Sequence, residues 1–149
     1  MDSVFSTVLA LNFLWFGAAF WYFGIVPDSS AKILVPKSAR DSPLFATVSA
    51  SVRFLGGMNF AFAVFAALLL AYGSLFPEPG QRALFAAVFA LAHAGQFAFN
   101  LPVALRGGRQ GESLWPVFAG PMLLIFIVDF TLMLSNAALS AFLLCAEGA

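Results

Sequence analysis

The sequence predicts an all-α protein, a single integral membrane domain folded as a four-transmembrane-helix antiparallel bundle. Three observations predict it. The chain is 62% hydrophobic and 9% charged over 149 residues, whereas a soluble domain is about half apolar and about a quarter charged. Four apolar runs are each long enough to cross a hydrocarbon core of about 30 Å, which takes about 20 helical residues. The stretches between them are polar and rich in proline and glycine, the composition of loops.

The first run, Val4 to Val26, carries no charge. Met1-Asp2-Ser3 lacks the positive start of a secretory signal, and the run exceeds a signal core of roughly 7–15 residues. It reads as a retained span. The loop Pro27–Pro43 follows. Within it Ala31-Lys32-Ile33-Leu34-Val35 is apolar between prolines; a plain loop touching the headgroups is expected there, with a re-entrant or surface-lying piece as the alternative.

The second span runs from Leu44 to Tyr72, with Arg53 as its only charge. A turn, Gly73–Arg82, contains Pro77 and Pro79. The third span, Ala83 to Leu105, contains His93. The polar stretch Arg106–Ser113 leads to the fourth, Leu114 to Leu144, which contains Asp129. The connections after the second and third spans are short enough to make sequential helices antiparallel neighbours, giving an up-down-up-down order.

Orientation follows from basic residues in the loops. Lys32, Lys37, Arg40, Arg106 and Arg109 fall on one face, and Arg82 alone on the other. The basic face is expected in the cytoplasm, with both termini on the non-cytoplasmic side. Trp21, Tyr22 and Trp115 stand at span ends on the basic face, as an interfacial aromatic belt would.

Ionisable and amide side chains are expensive in hydrocarbon, so the few that occur inform most. On the third span His93, Gln96 and Asn100 share one helical face. On the fourth, Asp129, Asn136 and Ser140 do the same. Lipid cannot satisfy such stripes, so both should turn into the bundle. Rise per residue places His93, Asp129 and Asn59 near the midplane, Arg53 level with Asn100, and Asn12 level with Asn136 on the outer side. The expectation is a buried polar or ligand-binding cluster of Arg53, Asn59, His93, Gln96, Asn100, Asp129 and Asn136. Asp129 would contact His93 or Arg53 at its centre. Close packing is expected along Ala86, Ala90, Ala94 and Ala98 on the third span and at Gly57 and Ala61 on the second, with Gly56-Gly57 beside the polar layer. The 19 phenylalanines are expected to fill the core and face lipid.

Several functions are excluded or lack support. The formal charge is zero and the basic residues are scattered, which argues against a nucleic-acid surface. One Cys and one His exclude an internal disulfide, the usual zinc sets and a haem held by two histidines of the chain. No phosphate-cradling loop, activated nucleophile or pair of intramembrane carboxylates is present. General acid–base chemistry would rest on His93 with Asp129 alone. No cofactor or metal is expected.

The segment Ser51-Val52-Arg53-Phe54-Leu55-Gly56-Gly57-Met58-Asn59, entering the apolar run to Ala71, resembles the second helix of the DoxX-like small four-helix membrane proteins. The resemblance extends to helix count and the long first loop. It implies an accessory subunit of an oxidoreductase or a chaperone for other membrane proteins, and it carries over Arg53, Gly56 and Gly57. From the residues themselves, the expected function is a non-enzymatic membrane component, either an accessory subunit or a bundle binding a small hydrophobic molecule. The alternatives are a membrane enzyme acting on a lipid or sterol through His93 and Asp129, and a small transporter or proton-conducting unit. The expected partners are the lipid bilayer, a hydrophobic small molecule, and a membrane-protein partner or second copy.

Overall fold

A computed structural model describes residues 3–108 and 116–147, with Glu147 as main chain only. In chain order the helices are α1 (Ser3–Phe20), α2 (Pro27–Leu34), α3 (Pro43–Tyr72), α4 (Pro79–Leu105) and α5 (Gly120–Glu147). No strand occurs among the described residues. A π-turn over Trp21–Ile25 extends α1, and 3-10 turns occupy Lys37–Ala39 and Gly73–Leu75. Four helices, counting α1 with its π-turn, are long and apolar enough to cross a membrane. A backbone in lipid can bond only to itself, and a helix meets that demand within one segment. The exposed side chains agree: Phe54, Phe99 and Leu105 are 82%, 85% and 79% accessible. Acyl chains would cover such a surface, whereas water would not. The chain therefore has the layout of a multi-pass membrane protein.

Proline sets three of the helix starts. Pro27, Pro43 and Pro79 each occupy the first helical position, where the missing N–H is not needed and the fixed φ suits a helix. The third long helix accordingly begins at Pro79, four residues before the expected Ala83.

Two expectations need correction. The segment after the first span is not a plain loop but the helix α2. Ser30, Ala31 and Val35 are buried, and the helix packs on α3 and on the π-turn. Polar contacts hold it: Ser49 Oγ donates to Asp28 Oδ1. Arg40 folds back, donating from Nη2 to Lys32 O at 2.7 Å and from Nε to Val35 O at 3.1 Å. A cation thereby meets the unsatisfied carbonyls of the helix C-terminus. The last helix also starts later than the expected Leu114. Pro116–Ala119 form turns, and Gly120, with φ +55°, admits the chain to α5. Arg109, Glu112, Trp115 and the expected beginning of this span at 114–115 lie outside the described residues.

The bundle consists of two close pairs, α1 with α3 and α4 with α5. Within the first pair, α3 turns Gly56, Asn59, Ala63, Ala66 and Leu69 inward. Gly57 and Ala61 face outward, so the expected small-residue contact is shifted to Gly56, which meets Gly24. A Cβ on Gly56 would lie 2.4 Å from the Gly24 Cα. On α4, Ala86 and Ala90 of the expected ladder are buried, while Ala98 is exposed.

Between the pairs lies a seam. Toward the end where α1 begins and α5 ends, rings fill it: Phe65 on Phe89 at 5.4 Å and Phe65 edge-on to Phe85 at 5.7 Å. Phe5, Leu9, Phe16, Phe89, Leu139 and Leu143 complete that core. Halfway along the helices the seam becomes polar.

Candidate functional site

The polar part of the seam is built from one residue upward. Asn12, fully buried on α1, donates from Nδ2 to Val8 O at 2.8 Å. That bond fixes the amide, because the opposite orientation would bring two oxygens together. The second Nδ2 hydrogen goes to Asn136 Oδ1 on α5 at 3.1 Å. Asn136 returns a bond from Nδ2 to Asn12 Oδ1 at 3.2 Å and donates to Leu132 O at 2.8 Å. The two amides form a reciprocal pair, each anchored to a carbonyl of its own helix.

With Asn12 Oδ1 fixed as an acceptor, His93 is constrained. Its Nε2 lies 3.0 Å from Asn12 Oδ1 and must therefore carry a hydrogen. Its Nδ1 lies 2.9 Å from Asp129 Oδ1. That line also needs one proton, since two bare lone pairs would repel. One proton on that line, whether on imidazole or carboxyl, satisfies both groups. On either partner, the pair has no net charge.

Asp129 Oδ1 accepts a further bond from Trp15 Nε1 at 3.0 Å. Asp129 Oδ2 is buried without a partner among the described residues. Phe16 stacks on the His93 ring with centroids 4.7 Å apart. His93, Asp129 and Asn12 are 0% exposed and Asn136 1%. The four groups lock α1, α4 and α5 together. Farther along, Ser140 Oγ donates to Ala83 O at 2.9 Å, tying α5 to α4.

The expected contact of Asp129 with His93 is present, and the stripe Asp129, Asn136, Ser140 faces inward as expected. Arg53 is a correction. It is exposed on α3, so it is neither in the cluster nor paired with Asp129. Its face of α3 also carries exposed Phe54, Gly57 and Met58. Asn59 is buried but donates to Leu55 O, at 2.8 Å, within its own helix. Asn100 is buried and donates to Gln96 O at 2.9 Å. Gln96 is half-buried.

Sequence reasoning missed Trp15 and left Asn12 out of the cluster. A signal existed for both. Trp15 stands well inside its span, one turn from Asn12, and an indole N–H at that depth needs an acceptor.

Clefts open beside the network. One, of about 460 Å³, lies between α1, α4 and α5 and is walled by Trp15, Ala19, Trp21, Gln96, Leu124 and Ile125, among others. A second, of about 450 Å³, is bounded by α2, α3, α4 and α5 and shares Phe23, Gln96 and Ile125 with the first. Its other walls include Ser30, Leu55, Asn100 and Met122. The side-chain amide of Gln96 therefore stands where two apolar clefts meet, without a hydrogen bond to any described residue. A third, of about 380 Å³, is a groove along α1 and α5 that Trp15 also lines. Among the described residues no group of three His, Cys, Asp or Glu could hold a metal ion.

No protein-family model, curated protein or solved structure matches this chain.

Proposed function

We propose that this multi-pass membrane protein binds a small amphiphile in the cleft between α1, α4 and α5. One observation carries the reading. The Gln96 side chain lines both apolar clefts, and its amide has no hydrogen bond to another side chain or backbone group among the described residues. An amide left unbonded in an apolar setting costs about 1–3 kcal/mol, and a ligand with one polar group on an apolar body would relieve that cost. The walls suit the apolar body, with aromatic rings from Trp15, Trp21 and Phe23 and aliphatic surface from Leu124 and Ile125. A few polar groups in a mainly apolar pocket is the usual composition of a small-molecule site. By the basic-residue rule, the cleft opens toward the cytoplasmic half.

Catalysis and conduction through His93 and Asp129 gain less support from this conformation. Both side chains are sealed at 0% exposure, whereas the cleft is open.

The test uses the full chain in nanodiscs and a bromine-tailed probe, 1-bromo-11-methoxyundecane, which quenches tryptophan. Saturable quenching of Trp15 and Trp21 is expected, abolished in Ala19→Phe, which fills the cleft, and weakened in Gln96→Leu. Quenching that rises linearly with probe content, and equally in Ala19→Phe, would mean that the probe acts only as bulk lipid.

A further inference from the structure

The cleft and the polar network are stacked along the same three helices. On α4, Gln96 stands one turn from His93. On α5, Ile125 stands one turn from Asp129. On α1, Ala18 and Ala19 stand one turn from Trp15. Gln96, Ile125, Ala18 and Ala19 all wall the cleft, so the buried pair lies about one helical pitch, roughly 5.4 Å, beyond its end. Trp15 belongs to both: its ring lines the cleft, and its N–H occupies Asp129 Oδ1. Trp15 is only half-buried, and the groove on its other side offers room for its ring to move. The other oxygen of the same carboxyl, Asp129 Oδ2, is buried with no donor among the described residues. A carboxylate oxygen without a donor is the costliest polar vacancy in such surroundings.

From this arrangement we infer that Asp129 is a recognition residue for the occupant of the cleft, and that the occupant is a neutral amphiphile bearing a hydroxyl group. The inference rests on the proposed cleft-binding reading and names its ligand class. The ligand hydroxyl donates to the Asp129 carboxyl as the Trp15 ring swings toward the groove, while Gln96 meets a second polar atom or the same oxygen. Charge selects the neutral donor. With one proton on the His93–Asp129 line the pair carries no net charge, so an ammonium group would bring an uncompensated positive charge to mid-membrane depth, which is strongly unfavourable. A hydroxyl adds a hydrogen bond without adding charge.

The experiment compares three probes of one chain length by tryptophan quenching in nanodiscs: 11-bromoundecan-1-ol, its methyl ether and 11-bromoundecan-1-amine. In the wild type the alcohol is expected to bind about fivefold to tenfold more tightly than the ether, the value of one net hydrogen bond. The amine should bind more weakly than the alcohol. Asp129→Asn replaces the vacant oxygen with a donor and should bring the alcohol down to the level of the ether. Trp15→Phe replaces the indole with a smaller ring and removes the competing N–H; because that ring also lines the cleft, the readout is the alcohol-to-ether affinity ratio, which should rise, read through Trp21. Should Asp129→Asn fail to fold, Trp15→Phe decides by itself. Saturable but equal binding of alcohol and ether in the wild type would overturn the role of Asp129 and leave the cleft reading intact. Saturable binding of neither would remove the cleft reading. Tighter binding of the amine would overturn the assignment of a neutral donor.

Discussion

Gly56 of α3 crosses the π-turn at Gly24 so closely that a Cβ on Gly56 would lie 2.4 Å from both the Cα and the N of Gly24. The obstructing atoms are backbone and cannot rotate away. Gly56→Ala should therefore destabilise the α1–α3 pair by about 1–3 kcal/mol, the cost of overpacking a fitted contact. The neighbouring Gly57 has nothing within 4 Å of its added Cβ. Gly57→Ala should be neutral or stabilise by up to about 1 kcal/mol through helix propensity. Thermal unfolding of both variants in detergent tests the contrast, and equal behaviour would mean that the crossing is looser than described.

Asn12 is the residue on which the amide pair and His93 both depend. Asn12→Leu would strand His93 Nε2–H and one face of Asn136, and the expected cost is about 1–3 kcal/mol. In a double-mutant cycle with Asn136→Leu, the coupling should be about 0.6–2 kcal/mol, the range for hydrogen bonds between membrane helices. Additive losses would show that the two amides do not bond.

Arg53 gives the opposite expectation. Because its side chain is exposed and outside the network, Arg53→Gln should change unfolding free energy by no more than about 0.5 kcal/mol. The nitrogen NMR signals of the His93 ring should stay in place. A shift of those signals would return Arg53 to the cluster.

The end of α4 can be tested through its glycines. Gly107 N–H bonds to Ala104 O at 3.1 Å and Gly108 N–H to Val103 O at 2.9 Å, the paired bonds of a Schellman motif. Both glycines have positive φ, +84° and +79°. A Cβ on Gly108 would also come within 2.5 Å of the Phe118 ring. Gly107→Ala meets only the conformational cost, about 1–2 kcal/mol, and Gly108→Ala meets that cost plus the ring. Gly108→Ala should therefore lower the melting temperature more, and the reverse order would contradict the turn geometry.

The sequence disclosed the fold through energies that dominate in lipid. Four apolar runs and the inward turn of the Asp129 stripe both follow from the cost of exposing polar groups to hydrocarbon. The meeting of His93 with Asp129 followed from the same cost together with equal depth. Details governed by smaller energies were hidden. Burial of Gly56 in place of Gly57 is a rotation of α3 by one residue, which an apolar run leaves open. The helix α2 depends on Arg40 and Ser49 reaching back across the chain, contacts that local periodicity does not carry. Trp15 was passed over because its single N–H donor does not stand out in an apolar run as an amide or an ionisable group does.

The way the two helix pairs are joined has a consequence of its own. Phenylalanine rings at the seam gain little over the acyl chains that would replace them, because both are greasy. Directional bonds among Asn12, His93, Asp129 and Asn136 therefore fix how the halves are aligned. Ring-for-leucine exchanges along the seam should be forgiven in bulk, whereas loss of a single amide would let one half slide against the other. The molecule is keyed at its middle, and its grip on anything held nearby is only as firm as that key.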